Sequence, residues 1–136
     1  MIKPIMRDMM FLSQPSVPAA KSDQQVMTDL VDTLNAHLDG CVGMAANMIG
    51  VHKRIIVVRM GPMSVAMVNP EIVAKSGAYE TEEGCLSLTG VRQCTRYRDI
   101  EVSYLDAAFL PRRQKYSGWI AQIIQHEIDH CNGVII

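Results

Sequence analysis

The sequence predicts an α+β domain, and three observations carry that prediction: a helical apolar repeat in the first third, short apolar or alternating runs through the middle, and a second helical repeat near the end. Met1 to Ala20 holds Pro4, Pro15 and Pro18 with little periodicity, so it should wrap the surface in extended segments rather than form a helix. Ser22-Asp23-Gln24-Gln25 is a capping-box pattern. Val26, Met27, Leu30, Val31, Leu34 and Leu38 follow at spacings of three and four, and Gly40 is placed to end the run. Ile55-Ile56-Val57-Val58 and Ser64 to Val68 read as two strands joined by a turn at Gly61-Pro62, with Pro70 limiting the second. Thr81 to Arg98 reads as irregular strands around Gly84 and Gly90, and Ile100 to Leu105 alternates as a half-buried strand. Ser117 caps the last helix, which places Trp119, Ile120, Ile123, Ile124 and Ile128 at helical spacing and stops at Asn132-Gly133. With no linker, repeat or low-complexity tract, residues 1–136 form one domain.

Nearly half of the residues are hydrophobic, 49%, which is enough for a core without covalent staples and excludes general disorder. Thirteen basic residues against fourteen acidic ones leave a net charge of −1. That balance supplies no electrostatic drive toward nucleic acid or an anionic membrane surface. No apolar run approaches the roughly 18 residues of a membrane span, and the opening MIKPIMRDMM has no continuous apolar core of the kind an export signal carries. The expected location is therefore the cytoplasm. In that reducing compartment Cys41, Cys85, Cys94 and Cys131, which include no C-x-x-C pair, are thiols.

The chemistry concentrates in His126-Glu127-Ile128-Asp129-His130, an H-E-x-x-H pattern inside the final helix. Four residues advance a helix by about 400°, so both imidazoles leave the same face one turn apart and can grip one metal ion. Glu127 sits beside them, where its carboxylate can serve water without taking a coordination position. A catalytic site of this type needs a third protein ligand and an open position. Cys85, in Glu83-Gly84-Cys85-Leu86-Ser87, is the best third ligand: Gly84 permits a tight backbone approach and a thiolate suits a borderline transition metal. Cys131 points about 100° away from His130 on the helix, Cys41 and Cys94 read as small packed residues, and His37 and His52 read as surface or capping histidines.

Three segments in order, Cys41 to Met48, Glu83 to Ser87 and Gln125 to His130, resemble the three signatures of peptide deformylases, and the likeness extends to Ile5-Met6-Arg7, Val68-Asn69-Pro70 and Asn132-Gly133. The resemblance implies antiparallel or mixed β-sheets around a central C-terminal helix, with one N-terminal helix. It implies a metal-dependent amidohydrolase that removes the formyl group from the N-terminal formylmethionine of newly made proteins and releases formate. Cys85, His126 and His130 would hold the ion, usually Fe²⁺ in this family with Zn²⁺ or Ni²⁺ able to replace it. Glu127 would move the proton and the Leu86 N–H would face the oxyanion. Val42 and Gly43 match positions that pair with the substrate backbone, while Gln122 and Ile123 match the methionine pocket. The implied partners are N-formylmethionyl nascent peptides, with a transient ribosome contact and neither specific nucleic-acid binding nor a membrane. Glu83 and Arg96 are expected to pair, Gln125 to support a ligand or the Cys85 loop, and Asp129 to accept a distant N–H or to lie exposed.

Two positions depart from the signatures. Met48 stands where the family carries a glutamine that donates to the oxyanion, and Cys41 stands where it usually carries glycine. Asn47 is the neighbouring amide that could take over the lost bond. Met48 also sustains an alternative expectation, a metal-binding homologue with weak or no turnover and a regulatory role. A zinc peptidase is disfavoured by the Cys85 ligand.

Overall fold

The computed structural model describes residues 1–136. Its organising strand is β2 (Ile55–Met60), whose first four residues are fully buried because both faces of the sheet are covered there. Ile55 and Val57 pack with Leu30 and Leu34 of α2 (Gln24–Asn35), whereas Ile56 and Val58 face Ile123, Ile124 and Ile128 of α3 (Gly118–Cys131). One strand thus separates two apolar cores, each closed by one helix.

The sheet is a five-stranded antiparallel meander: β1 (Gly43–Ala45), β2, β3 (Met63–Cys85), β4 (Leu88–Leu105) and β5 (Pro111–Ser117), each beside its neighbours in chain order. The fold is the α+β arrangement expected, with the H-E-x-x-H helix against the sheet and another helix toward the N-terminus.

Several local expectations differ. Asp8 caps a single helical turn, α1 (Met9–Leu12), by accepting the Met10 N–H at 2.9 Å, so the first twenty residues are not wholly extended. At α2 the reciprocal bond falls earlier than predicted: the Ala20 N–H donates to Asp23 Oδ2 at 2.9 Å, and Lys21–Asp23 form a 3₁₀ turn before the helix. The helix stops at Asn35, and looser turns carry the chain to Gly40. Pro70 does not end β3. It lies in the register shift between Val68 and Glu71, beside Asn69 at φ 51°, where the ladder is already broken and a missing N–H removes no cross-strand bond. Thr81 to Arg98 is a paired hairpin whose ladder is regular except at its tip, where the register shifts between Gly84 and Cys85, and β5 is an additional edge strand. Ser117 occupies the position before α3 but makes no side-chain cap bond, and Trp119 is exposed rather than core. No helix is long and apolar enough to cross a membrane.

Candidate functional site

Cys85 is the last residue of β3, and Leu86-Ser87 turn the chain into β4. His126, Glu127 and His130 lie on α3 and are buried, with 8%, 4% and 0% exposure. The hairpin tip and the helix therefore meet at one point. Cys85 Sγ lies 3.3 Å from His130 Nε2, which is 3.1 Å from His126 Nε2, and all three donor atoms fall within 4.8 Å of one another. Metal–nitrogen bonds near 2.05 Å and a metal–sulfur bond near 2.3 Å, at tetrahedral angles, require edges of about 3.4 Å and about 3.6 Å. The two edges at His130 are a few tenths of an ångström shorter and the third lies within 4.8 Å, a donor set suited to a single divalent ion.

A charged network orients the first imidazole. His126 Nδ1 donates to Glu83 Oε1 at 2.7 Å, because a carboxylate can only accept, and this leaves the Nε2 lone pair directed at the ion position. Glu83 in turn accepts from Arg96 Nε and Nη2 at 3.0 and 2.8 Å and from Gln122 Nε2 at 2.8 Å. Arg96 Nη1 reaches Asp129 Oδ2 at 2.7 Å. Burial pushes the Glu83 carboxyl up, but bonds from His126, Arg96 and Gln122 outweigh it and hold the group well below the usual carboxylate range. The expected Glu83–Arg96 pair and the distant donor to Asp129 are both present.

Glu127 is tuned the other way. Burial without a matching donor pushes it up to about 7, opposed only in part by the charge of His126, and Oε1 is buried without a hydrogen-bond partner. A Cβ at Gly43 would sit 2.7 Å from Ile123 Cγ2 and 3.0 Å from Glu127 Oε2, so only glycine lets β1 pass this close. At Gly84 the expected tight approach is absent: a Cβ there would meet the Gly90 carbonyl at an ordinary 3.5 Å.

The trio's face of α3 borders a cavity of about 860 Å³ lined by Cys41, Val42, Gly43, Met48, Gln122 and Ile123 together with Cys85, Leu86, His126 and Glu127. His130, fully buried behind them, completes the trio without lining the cavity. Arg7, Asp39 and Trp119 also line it, a role not anticipated for them; Arg7 lies in a segment of the resemblance but far in sequence from the signatures, and an exposed tryptophan carries no spacing signal. Asn47 does not replace the lost amide donor, since it is fully buried and its Nδ2 donates to the His130 carbonyl at 3.0 Å. Gln125 clamps Tyr97 of β4, donating to its carbonyl and accepting its N–H at 2.8 Å each, and bonds neither a ligand nor the Cys85 loop. Of the remaining cysteines, Cys131 is core, and burial pushes Cys41 up to about 12, so it is a neutral thiol donating to the Gly43 carbonyl at 2.9 Å. His37 and His52 bond the carbonyls of Thr33 and Phe11.

A carboxylate poised beside a trio suited to one divalent ion, over a cavity open to solvent, is the equipment of a metal-dependent hydrolase. Comparison with known proteins narrows that class. Residues 3–136 match the sequence profile of the polypeptide deformylase family, and the chain belongs to that family. It is 56% identical over 136 residues, the full length of both, to a peptide deformylase of Clostridium beijerinckii. Among solved structures it is similar to the Thermotoga maritima peptide deformylase (TM-score 0.89, 30% identity, 99% of this chain and 95% of that one). It also resembles the Acinetobacter baumannii class I type b enzyme bound to Met-Ala-Ser (TM-score 0.87, 28% identity, 99% and 97% covered).

Proposed function

We propose that this chain hydrolyses the N-formyl group of N-formylmethionyl peptides, giving formate and a free N-terminus. The observation that carries the reading is the convergence of Cys85, His126 and His130 beside a buried Glu127 oxygen that has no other partner. Cys85, His126 and His130 would hold a divalent ion, Fe²⁺ in the cell with Zn²⁺ or Ni²⁺ as substitutes, and the ion would supply Lewis acidity toward water and the formyl oxygen. Glu127 accepts a proton from the attacking water as oxygen bonds to the formyl carbon. It then returns that proton to the amine nitrogen as the C–N bond breaks. Burial lifts this carboxyl above the usual carboxylate range, which makes it a better proton acceptor from water than an exposed glutamate. The Leu86 N–H donates to the oxygen that gains charge.

β1 lies at the edge of the sheet, pairing only with β2. Its outer edge at Gly43, beside Val42, accepts the peptide backbone as an added strand, the peptide N–H displacing the Cys41 thiol from the Gly43 carbonyl, with Gln122, Ile123 and Met48 around the methionine side chain. The methionine-first tripeptide bound to the Acinetobacter enzyme supports this substrate class. The working partners are nascent formylated chains in the cytoplasm, met through transient contact with the ribosome.

The test is formate release from formyl-Met-Ala-Ser by anaerobically iron-loaded protein, wild type and Glu127→Gln. The expected result is turnover in the wild type and a loss of at least about 10³-fold in the variant with one metal per chain retained. Stoichiometric metal with no formate from the wild type would defeat the reading.

A further inference from the structure

The segment before α1 touches both walls of the cavity mouth. The Met6 N–H donates to the Met48 carbonyl at 2.7 Å, and Arg7 Nη1 donates to the Leu86 carbonyl at 2.9 Å. Cys85 pairs with Leu88, so Leu86 and Ser87 are a two-residue hairpin connection. Such connections favour residues at positive φ, as in Asn-Gly, because those turns match the strand twist. Neither Leu86 nor Ser87 has positive φ, the register slips immediately beyond at Gly84, and the Ser87 hydroxyl is buried without a partner. This turn lacks the chemistry to hold itself.

Two ties from outside the hairpin reach it: the Cys85 thiol at the trio, and Arg7. They flank the Leu86 α-carbon, one anchoring the peptide plane that carries the Leu86 N–H and the other anchoring the next plane. Arg7 is also the one lysine or arginine lining the cavity, whose other charged side chains include Asp39, Glu82, Glu83 and Glu127, so the field favours its staying there. We propose that Arg7 is a positioning residue, fixing the Leu86-Ser87 turn so that the Leu86 amide meets the oxyanion; the proposal rests on the deformylase reading. It gives the N-terminal segment a task in the chemistry 79 residues away in sequence.

The test compares metal-loaded wild type, Arg7→Met and Arg7→Lys. Arg7→Met should lower kcat about 10- to 100-fold, because displacement of a donor by a fraction of its bond length forfeits part of its contribution. KM, affinity for the product-like peptide Met-Ala-Ser and metal content should stay within about twofold, since none of these depends on charge developing in the transition state. Arg7→Lys, which keeps one donor, should recover much of the loss, and amide exchange at Leu86 should quicken in Arg7→Met alone. A wild type silent toward formyl-Met-Ala-Ser defeats the deformylase reading and this proposal with it. An active wild type with unchanged kcat in Arg7→Met, or with a loss matched by lost peptide affinity or metal, defeats this proposal alone.

Discussion

Met48 is one of the two residues, with Cys41, that depart from the signatures this sequence resembles, and its surroundings say what the exchange costs. The side chain is 1% exposed, packs in the core beside α2 and also borders the cavity, so one residue serves as apolar filler and as active-site wall. A thioether donates no hydrogen bond, and Asn47 is committed to the His130 carbonyl, which leaves the Leu86 N–H as the amide donor in this reading. Glutamine is unbranched and close to methionine in length, so Met48→Gln can place an amide along the same path. Its expected effect is a rise in kcat of about tenfold or more, because a single such donor contributes up to about 10²- to 10³-fold. The accompanying cost is about 1–3 kcal/mol of stability for burying a polar amide in an apolar cluster. Steady-state formate release and denaturant midpoints read both quantities; an unchanged kcat would show that the existing donor suffices.

At the scale of elements, Glu83 and Arg96 join β3 and β4, and Gln122, His126 and Asp129 extend the same network onto α3. Because the folded carboxyl of Glu83 lies below its ordinary value near 4.5, the unfolded chain binds more protons once pH drops into that range. The stabilisation is therefore complete above about pH 5 and is lost progressively as pH falls further. Metal-free protein followed by urea denaturation should lose stability between pH 5 and pH 3, and Glu83→Gln should be weaker at pH 6 yet show a shallower decline; an identical slope would remove Glu83 from acid sensitivity. The ends of this network were legible before the fold was known, since H-E-x-x-H and E-G-C-L-S carry chemistry in fixed spacing. Asp129, placed between the two histidines, left its partner open until β4 brought Arg96 beside it. The strands were harder to read. Residues 71–83 of β3 are largely exposed and show little alternation, so their order comes from pairing across the hairpin rather than from local pattern. β5, Pro-Arg-Arg-Gln-Lys-Tyr-Ser, has no apolar face, as suits an edge whose charges discourage further strand addition. Trp119 fits the helical repeat of α3 yet lies on its solvent side, a distinction that spacing alone does not make.

For the whole molecule, the ion position adds a cross-link at the hairpin tip, beyond the Glu83–Arg96 network that already joins β3 and β4 to α3. Cys85 lies at the tip of a hairpin with one leg of 23 and one of 18 residues, and the histidines lie on the helix that closes one of the two cores. An ion at this point ties the distal end of the sheet to that core, and only the folded chain brings the three donors together, so binding adds directly to folding free energy. With free metal about 1,000-fold above Kd the linkage is about 4 kcal/mol. For a domain of this size that corresponds to roughly 14 °C in Tm. Chelation should therefore lower Tm by about that amount in the wild type, and stoichiometric Zn²⁺ should restore it. In Cys85→Ser the chelator effect should be much smaller, since a hydroxyl is a poor ligand for such an ion. Amide exchange should localise the loss to the Leu86–Gly90 end of the hairpin and the last turn of α3, with β2 still protected, because β2 is held by apolar burial on both faces. A uniform loss of protection would mean instead that the ion stabilises both cores equally, and an unchanged Tm would show that the trio does not bind metal at all.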